Sequence, residues 1–80
     1  MSIRPVGDVE HTTGGLLIVR SSGEGDPPSI GAHLVDDRLE PVGRVVDVFG
    51  PVSRPYLAVT PGGEEASASL VGARLYVRGG

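Results

Sequence analysis

The sequence predicts an all-β protein, a small closed six-stranded β-barrel, from three observations. The chain has 80 residues, which is enough for one domain but not for two cores. It contains 13 Gly and 7 Pro, and its longest stretch without either, residues 32–40, is too short for an ordinary long helix. Segments rich in Val and Leu recur about every eight to twelve positions between turn residues, a spacing typical of small sandwiches and barrels.

Each predicted strand is a short apolar segment that ends at a turn residue. Gly14 and Gly15 lie between the first two segments and supply a tight turn, so we expect a hairpin. Pro5 precedes the first segment, where a strand can begin without donating a hydrogen bond. A sheet of such short strands is expected to curl until its edges meet, because closure hides the backbone groups of edge strands. The six predicted strands are Val6–Thr12, Gly15–Ser21, His33–Val35, Pro41–Val48, Arg54–Thr60 and Ala73–Arg78.

A single domain spans residues 1–80, with two flexible loops predicted near residues 21–30 and 61–69. The first loop is rich in Ser, Gly, Pro and acidic residues, which favour turns at the surface. The second leads into residues 66–71, where the pattern allows either one helical turn or an irregular return. No repeat or compositional break indicates a second unit.

The charge pattern and the missing residue types exclude several functions. All 7 basic residues are Arg, and 10 acidic residues leave a net charge of −3, so a chain-wide basic footprint for nucleic acid is missing. The arginines occur nearly once per strand, so a barrel could still gather them locally. Without Cys there is no disulfide framework, thiolate zinc site or cysteine nucleophile. No segment is apolar enough to cross a bilayer or to act as a signal peptide, so we expect a soluble, cytoplasmic protein with no membrane partner.

No group of residues has the pattern of a catalytic or metal site. His11 and His33 lie far apart, without the neighbouring ligands of a metal site, and are expected to be polar side chains at strand ends. Asp36 and Asp37 would point to opposite faces of a strand, so we expect them to begin a turn and accept backbone hydrogen bonds. Asp47, between two valines, is expected to face outward. The sequence thus predicts a protein that is not an enzyme, with no catalytic residue, metal or cofactor.

The connection between the fourth and fifth predicted strands is apolar, whereas loops are usually polar. For Phe49 alone, two interpretations are open: its ring fills the end of the barrel, or it is exposed. For the cluster as a whole we favour an exposed apolar patch, which in a soluble monomer marks a binding surface. The residues predicted to bind a partner are Val48, Phe49, Gly50, Pro51, Val52, Pro55 and Tyr56.

Motifs in and around this loop resemble one known family. They include Val42-Gly43, Val45, the run from Asp47 to Val52, Pro55-Tyr56 and Val59. Further matches occur in order at Gly7, Val9, His11, residues 15–20, Val35-Asp36, Arg38-Leu39, Val71-Gly72 and residues 75–77. Together they closely resemble the Gar subunit of archaeal box H/ACA ribonucleoproteins, the guide-RNA particles that convert uridine to pseudouridine.

The resemblance implies a barrel like those of reductases and elongation-factor domains, and a subunit without catalysis of its own. Such a subunit docks on the pseudouridine synthase catalytic subunit and promotes substrate RNA loading and release in rRNA pseudouridylation. The docking surface would be the loop from Phe49 to Val52 with Pro55 and Tyr56; guide RNA would be contacted only indirectly, and the isolated chain would be a monomer. An alternative is a small barrel that binds RNA directly in ribosome maturation, which the acidic net charge disfavours.

Overall fold

Six antiparallel strands close into a barrel in the computed structural model of the chain, which describes residues 2–23, 27–62 and 68–79. The strands are β1 (Ser2–Thr13), β2 (Leu16–Ser21), β3 (His33–Val35), β4 (Pro41–Phe49), β5 (Tyr56–Pro61) and β6 (Arg74–Gly79), with a 3₁₀ turn at Ala68–Leu70. Their order around the barrel is β1-β2-β5-β4-β3-β6, and β6 pairs with β1 to close it. The predicted fold class is confirmed. Within the described residues, no helix is long and apolar enough to span a bilayer.

The barrel interior is filled by branched aliphatic side chains, at least one from every strand. Eight of them, including Leu17, Leu34, Leu57 and Leu75, are less than 2% exposed. Because side chains alternate between the two faces of a strand, the inward positions of β2 and β5 are two residues apart. The core cluster consists of Val6, Val9, Leu17, Val19, Leu34, Val42, Val45, Leu57, Val59 and Leu75.

A bulge in β4 interrupts this alternation where the candidate loop begins. The pairing of β4 with β5 shifts between Val45 and Asp47, so Val46 is an extra residue on its strand. As a result Val45 is buried, Val46 and Asp47 are exposed, and Val48 packs partly against the core. Asp47 Oδ1 accepts a hydrogen bond from the backbone N–H of Val48 at 2.9 Å. The prediction that Asp47 faces outward is confirmed.

The tight turn between β1 and β2 forms as predicted. Gly14 and Gly15 have φ values of 57° and 80°, both left-handed, and Thr13 pairs with Leu16 across the turn. The start of β1 differs from the prediction, because the strand begins at Ser2 and passes through Pro5. The pairing with β6 shifts between Pro5 and Gly7, and such a shift tolerates a residue without an N–H donor.

The two loops predicted to be flexible are described only in part. Residues 24–26 and 63–67 lie outside the described ranges, and the mobility of both loops stays a prediction. Of the two interpretations of residues 66–71, the helical turn is found for Ala68–Leu70, while residues 66 and 67 lie outside the described residues. At the beginning of the second loop, the N–H of Gly62 donates to the carbonyl of Val42 at 2.8 Å, which ties it to the barrel.

Candidate functional site

The β4–β5 loop, residues 50–55, is held in a defined shape by its two ends. Gly50 turns the chain away from β4 with a φ of 90°, and a Cβ there would lie 3.0 Å from the ring of Tyr56. Glycine is therefore required both for the backbone conformation and for space. The N–H of Arg54 donates to the carbonyl of Pro51 at 3.2 Å, and the N–H of Ser21 donates to the carbonyl of Pro55 at 3.2 Å. The loop is thus closed on itself and fastened to β2.

The side chains predicted to bind a partner divide into exposed and buried groups. Val52 is 98% exposed, and Phe49 is 43% exposed. Gly50 and Pro51 are also exposed, while Val48 and Tyr56 are half-buried. Pro55 is buried, so the expectation that it belongs to the exposed patch is not met. Its carbonyl accepts the hydrogen bond from Ser21 of β2, and a buried Pro55 can support a docking surface without forming one.

The exposed ring of Phe49 belongs to a row of planar side chains that crosses three strands. Phe49 pairs with Tyr56 across β4 and β5, and the two rings stack with centroids 5.7 Å apart and planes 20° apart. Arg20 pairs with Tyr56 across β2 and β5, and its guanidinium carbon lies 5.9 Å from the tyrosine ring centroid. This distance is within the range of a cation–π contact. Of the two interpretations of Phe49, the exposed one therefore fits the structure.

A cleft lined by arginines lies beside the β4–β5 loop, and the sequence analysis did not identify it. Arg20 of β2, Arg54 of the loop and Arg74 of β6 line it, together with Asp8 of β1. The other lining residues are Pro5, Gly7 and Ser22. We refer to these seven residues as the arginine cleft. The barrel brings together three arginines that are far apart in the sequence. Their spacing of nearly one per strand allowed such a grouping but did not indicate which arginines would meet.

The histidine and carboxylate side chains of the described residues are mostly exposed. No three of their His, Cys, Asp and Glu side chains form a cluster that could hold a metal ion. His11 is exposed and lies 3.8 Å from Glu10, while His33 is exposed on β3 opposite Arg44. The backbone N–H of Glu40 lowers the pKa of Asp36 below its usual value, which is the opposite of what a general acid near neutral pH requires.

Comparisons with known proteins agree with this architecture. The family described as the Gar1/Naf1 RNA binding region matches residues 3–79. A solved structure described as "Structure of the Gar1 domain of NAf1" matches with a TM-score of 0.70 and 16% sequence identity, covering 96% of this chain and 87% of that one. At this identity the match shows a shared fold. No curated protein sequence matches the chain.

Proposed function

Because this chain belongs to the Gar1/Naf1 RNA-binding-region family, we propose that it is a non-catalytic H/ACA subunit that docks on the pseudouridine synthase subunit through the β4–β5 loop. Membership of the family implies an RNA-associated role in H/ACA ribonucleoproteins and in ribosome biogenesis. The proposal adds the docking partner and its purpose, which is to help the synthase load substrate RNA and release product RNA.

The observation that carries the proposal is the 98% exposure of Val52 at the tip of a constrained apolar loop. Burying a valine side chain is favourable by about 1.5–3 kcal/mol, so a partner that covers Val52 gains stability. The rigid ring of Pro51 precedes it in the chain, and the exposed ring of Phe49 lies at the start of the same loop. A preorganised loop loses little conformational entropy on binding, which leaves more of this gain as affinity.

A docked subunit can act on its partner without catalytic residues of its own. A docked subunit changes the partner's behaviour only if it binds one of the partner's states better than another. We infer that docking favours the states in which RNA enters and leaves the synthase. Addition of the protein would then accelerate multiple-turnover pseudouridylation, while the rate of a single turnover with preloaded RNA would be unchanged.

The docking step is tested by substituting the exposed valine and measuring binding to the purified synthase subunit without RNA. Val52→Ser is expected to weaken the complex by about tenfold, and Phe49→Ala/Val52→Ser by about a hundredfold or more, as for residues at the centre of an interface. Titration calorimetry measures both. Val71→Ser is the matched control, because Val71 is 46% exposed and lies outside the loop.

The unfolding midpoint and the binding affinity together distinguish a lost docking contact from a loss of folding. Because Val52 has almost no contacts to lose, Val52→Ser should leave the unfolding midpoint unchanged, and any loss of binding then reports on the surface itself. Binding that is equal for the wild type and both loop variants would show that the loop is not the docking surface. Absence of a complex with the wild-type chain would reject the proposed partner.

A further inference from the structure

The arginine cleft concentrates positive charge on a protein that is acidic as a whole. Among the described residues its lining has three arginines and one aspartate, whereas the chain carries a net charge of −3. The arginines come from β2, β6 and the β4–β5 loop, so they surround a cleft of about 230 Å³ from three sides. Anions are therefore attracted to this location more than to the rest of the surface.

The ion pairs in and beside the cleft are of a kind that an incoming anion can replace. Arg74 Nε lies 3.1 Å from Asp8 Oδ1, and these side chains are 59% and 55% exposed. An Arg20 Nη atom lies 3.7 Å from a carboxylate oxygen of Glu10, with exposures of 48% and 41%. Ion pairs between side chains as exposed as these contribute little to stability. Replacing the carboxylate partner of either arginine by a phosphate oxygen therefore costs little free energy.

Contacts outside these pairs orient the guanidinium groups. Arg54 Nε donates to the carbonyl of Ser21 at 2.9 Å, a part-buried bond that fixes the side chain along the cleft. Arg20 lies over the ring of Tyr56. A planar guanidinium held in this way presents a fork of N–H donors that matches the oxygens of a phosphate.

The composition of the lining favours a phosphodiester over an acidic segment of a protein. Apart from Pro5, the lining residues are charged, hydroxylated or glycine. A peptide segment needs apolar anchors in a desolvated pocket to bind stably, and the cleft offers almost none. Nucleic-acid backbones need only cations and hydrogen-bond donors.

We propose that the arginine cleft binds the phosphodiester backbone of single-stranded RNA. The cleft adjoins the β4–β5 loop through Arg54, so the RNA would run along the rim of the docking surface. The acidic net charge restricts this contact to the cleft and keeps binding to the rest of the barrel weak. This inference does not require that the docking proposal be correct.

The test uses the full chain and a fluorescently labelled single-stranded oligouridine RNA, with binding followed by fluorescence anisotropy over a series of salt concentrations. Arg20→Gln/Arg74→Gln is expected to weaken binding by about tenfold or more at low salt. The slope of log affinity against log salt concentration should also become less negative by about 1.4, the value expected when two contacts to a single strand are lost. Asp8→Asn, which removes the acidic group found among the described lining residues, is expected to strengthen binding.

Arg44→Gln/Arg78→Gln is the matched control, because it removes the same charge from two exposed arginines outside the cleft. At about 0.15 M salt it should change the affinity less than about twofold, since these arginines do not line the binding surface and exposed charges are screened beyond about 8 Å. Equal losses in the two double variants would overturn the proposal by showing that only the overall charge matters. So would the absence of RNA binding by the wild type at low salt.

One competition and two binding measurements on variants separate RNA binding at the cleft from docking at the loop. A polyglutamate peptide that displaces the RNA at equal charge concentration would overturn the proposal in favour of an acidic protein segment. The variant Arg74→Gln, whose side chain pairs with Asp8 and lies outside the row of Phe49, Tyr56 and Arg20, should still bind the synthase subunit, and Val52→Ser should still bind RNA. If the arginine variant loses the synthase but retains RNA, the cleft belongs to the protein interface and the RNA site is rejected.

Discussion

Asp36 fixes the turn between β3 and β4 with its side chain. Its Oδ1 atom accepts hydrogen bonds from the backbone N–H groups of Arg38 at 2.8 Å and Glu40 at 3.0 Å. This confirms the predicted turn for Asp36. The same turn holds Leu39 at a φ of 65°, a left-handed conformation that side chains rarely adopt. The hydrogen bonds to Asp36 offset the strain at Leu39.

The stability of the protein should therefore depend on the charge of Asp36. The N–H of Glu40 is the main cause of its lowered pKa, opposed by desolvation and assisted by Arg38. A pKa that is lower in the folded state means that the carboxylate stabilises the fold above the unfolded value of 3.8, and that this contribution is lost as pH falls through the native value. Asp36→Asn keeps an acceptor oxygen but not the charge.

We expect Asp36→Asn to be less stable than the wild type at neutral pH by no more than about 1 kcal/mol, because the bonds are exposed. The difference should shrink toward zero as the wild-type carboxylate is protonated below its native pKa. Urea unfolding across an acidic pH series measures it. Asp37→Asn removes the same charge from the same turn and serves as the control. A destabilisation by Asp36→Asn that is constant at every pH would contradict the prediction.

Strand pairing in the barrel depends on two positions where backbones approach closely. A Cβ at Gly43 of β4 would collide with the carbonyl oxygen of Thr60 on β5, and one at Gly7 of β1 would collide with the carbonyl of Arg20 on β2. Both neighbours are backbone atoms of paired strands, which cannot move without opening the sheet. Glycine is needed at these positions for space, because neither φ lies in the left-handed region.

Substitution of Gly43 tests whether the close approach of β4 to β5 contributes to stability. Gly43→Ala is expected to lower the free energy of unfolding by about 1–3 kcal/mol, the usual effect of overpacking, because β4 must separate from β5. At Gly62 the nearest atom to an added Cβ is the Val42 carbonyl oxygen at 3.8 Å. Gly62→Ala is therefore expected to be neutral or to stabilise by up to about 1 kcal/mol. Equal effects of the two substitutions on the thermal or urea midpoint would show that the close approach is unimportant.

Local patterns predicted the strands well and their ends less well. The Gly14-Gly15 pair predicted its turn because its positive φ values depend on those two residues alone. Pro5 was interpreted as a strand start, yet the shift in pairing with β6 lets β1 continue past it. Similarly β5 begins at Tyr56 instead of Arg54, because Arg54 bonds back to Pro51 within the loop. Such boundaries are determined by contacts with partner strands, which the local sequence does not contain.

The arrangement of the whole barrel determines which parts of the candidate site the sequence could predict. The exposure of Val52 could be predicted, because the interior of so small a barrel has no room for every apolar side chain of this loop. Burial of Pro55 was not, because it depends on how the end of the loop meets β2, to which the carbonyl of Pro55 is hydrogen-bonded. The arginine cleft required both the pairing of β1 with β6 and the placement of the β4–β5 loop beside β2. Net charge, which predicted little contact with RNA, averages over a surface whose charges are unevenly distributed.

The size of the exposed apolar patch predicts how the isolated protein behaves in solution. The barrel has a Cα radius of gyration of 11.1 Å, and a stable interface on any protein buries about 1,200 Å² or more. Val52 and Phe49 are two exposed side chains, which are too few to bury such an area and hold two copies together by themselves. We therefore expect sedimentation velocity to show a monomer at low concentration and weak, concentration-dependent association at high concentration. Val52→Ser should remove that dependence and Val71→Ser should not, whereas a stable dimer at low concentration would mean that the loop is already covered by a second copy.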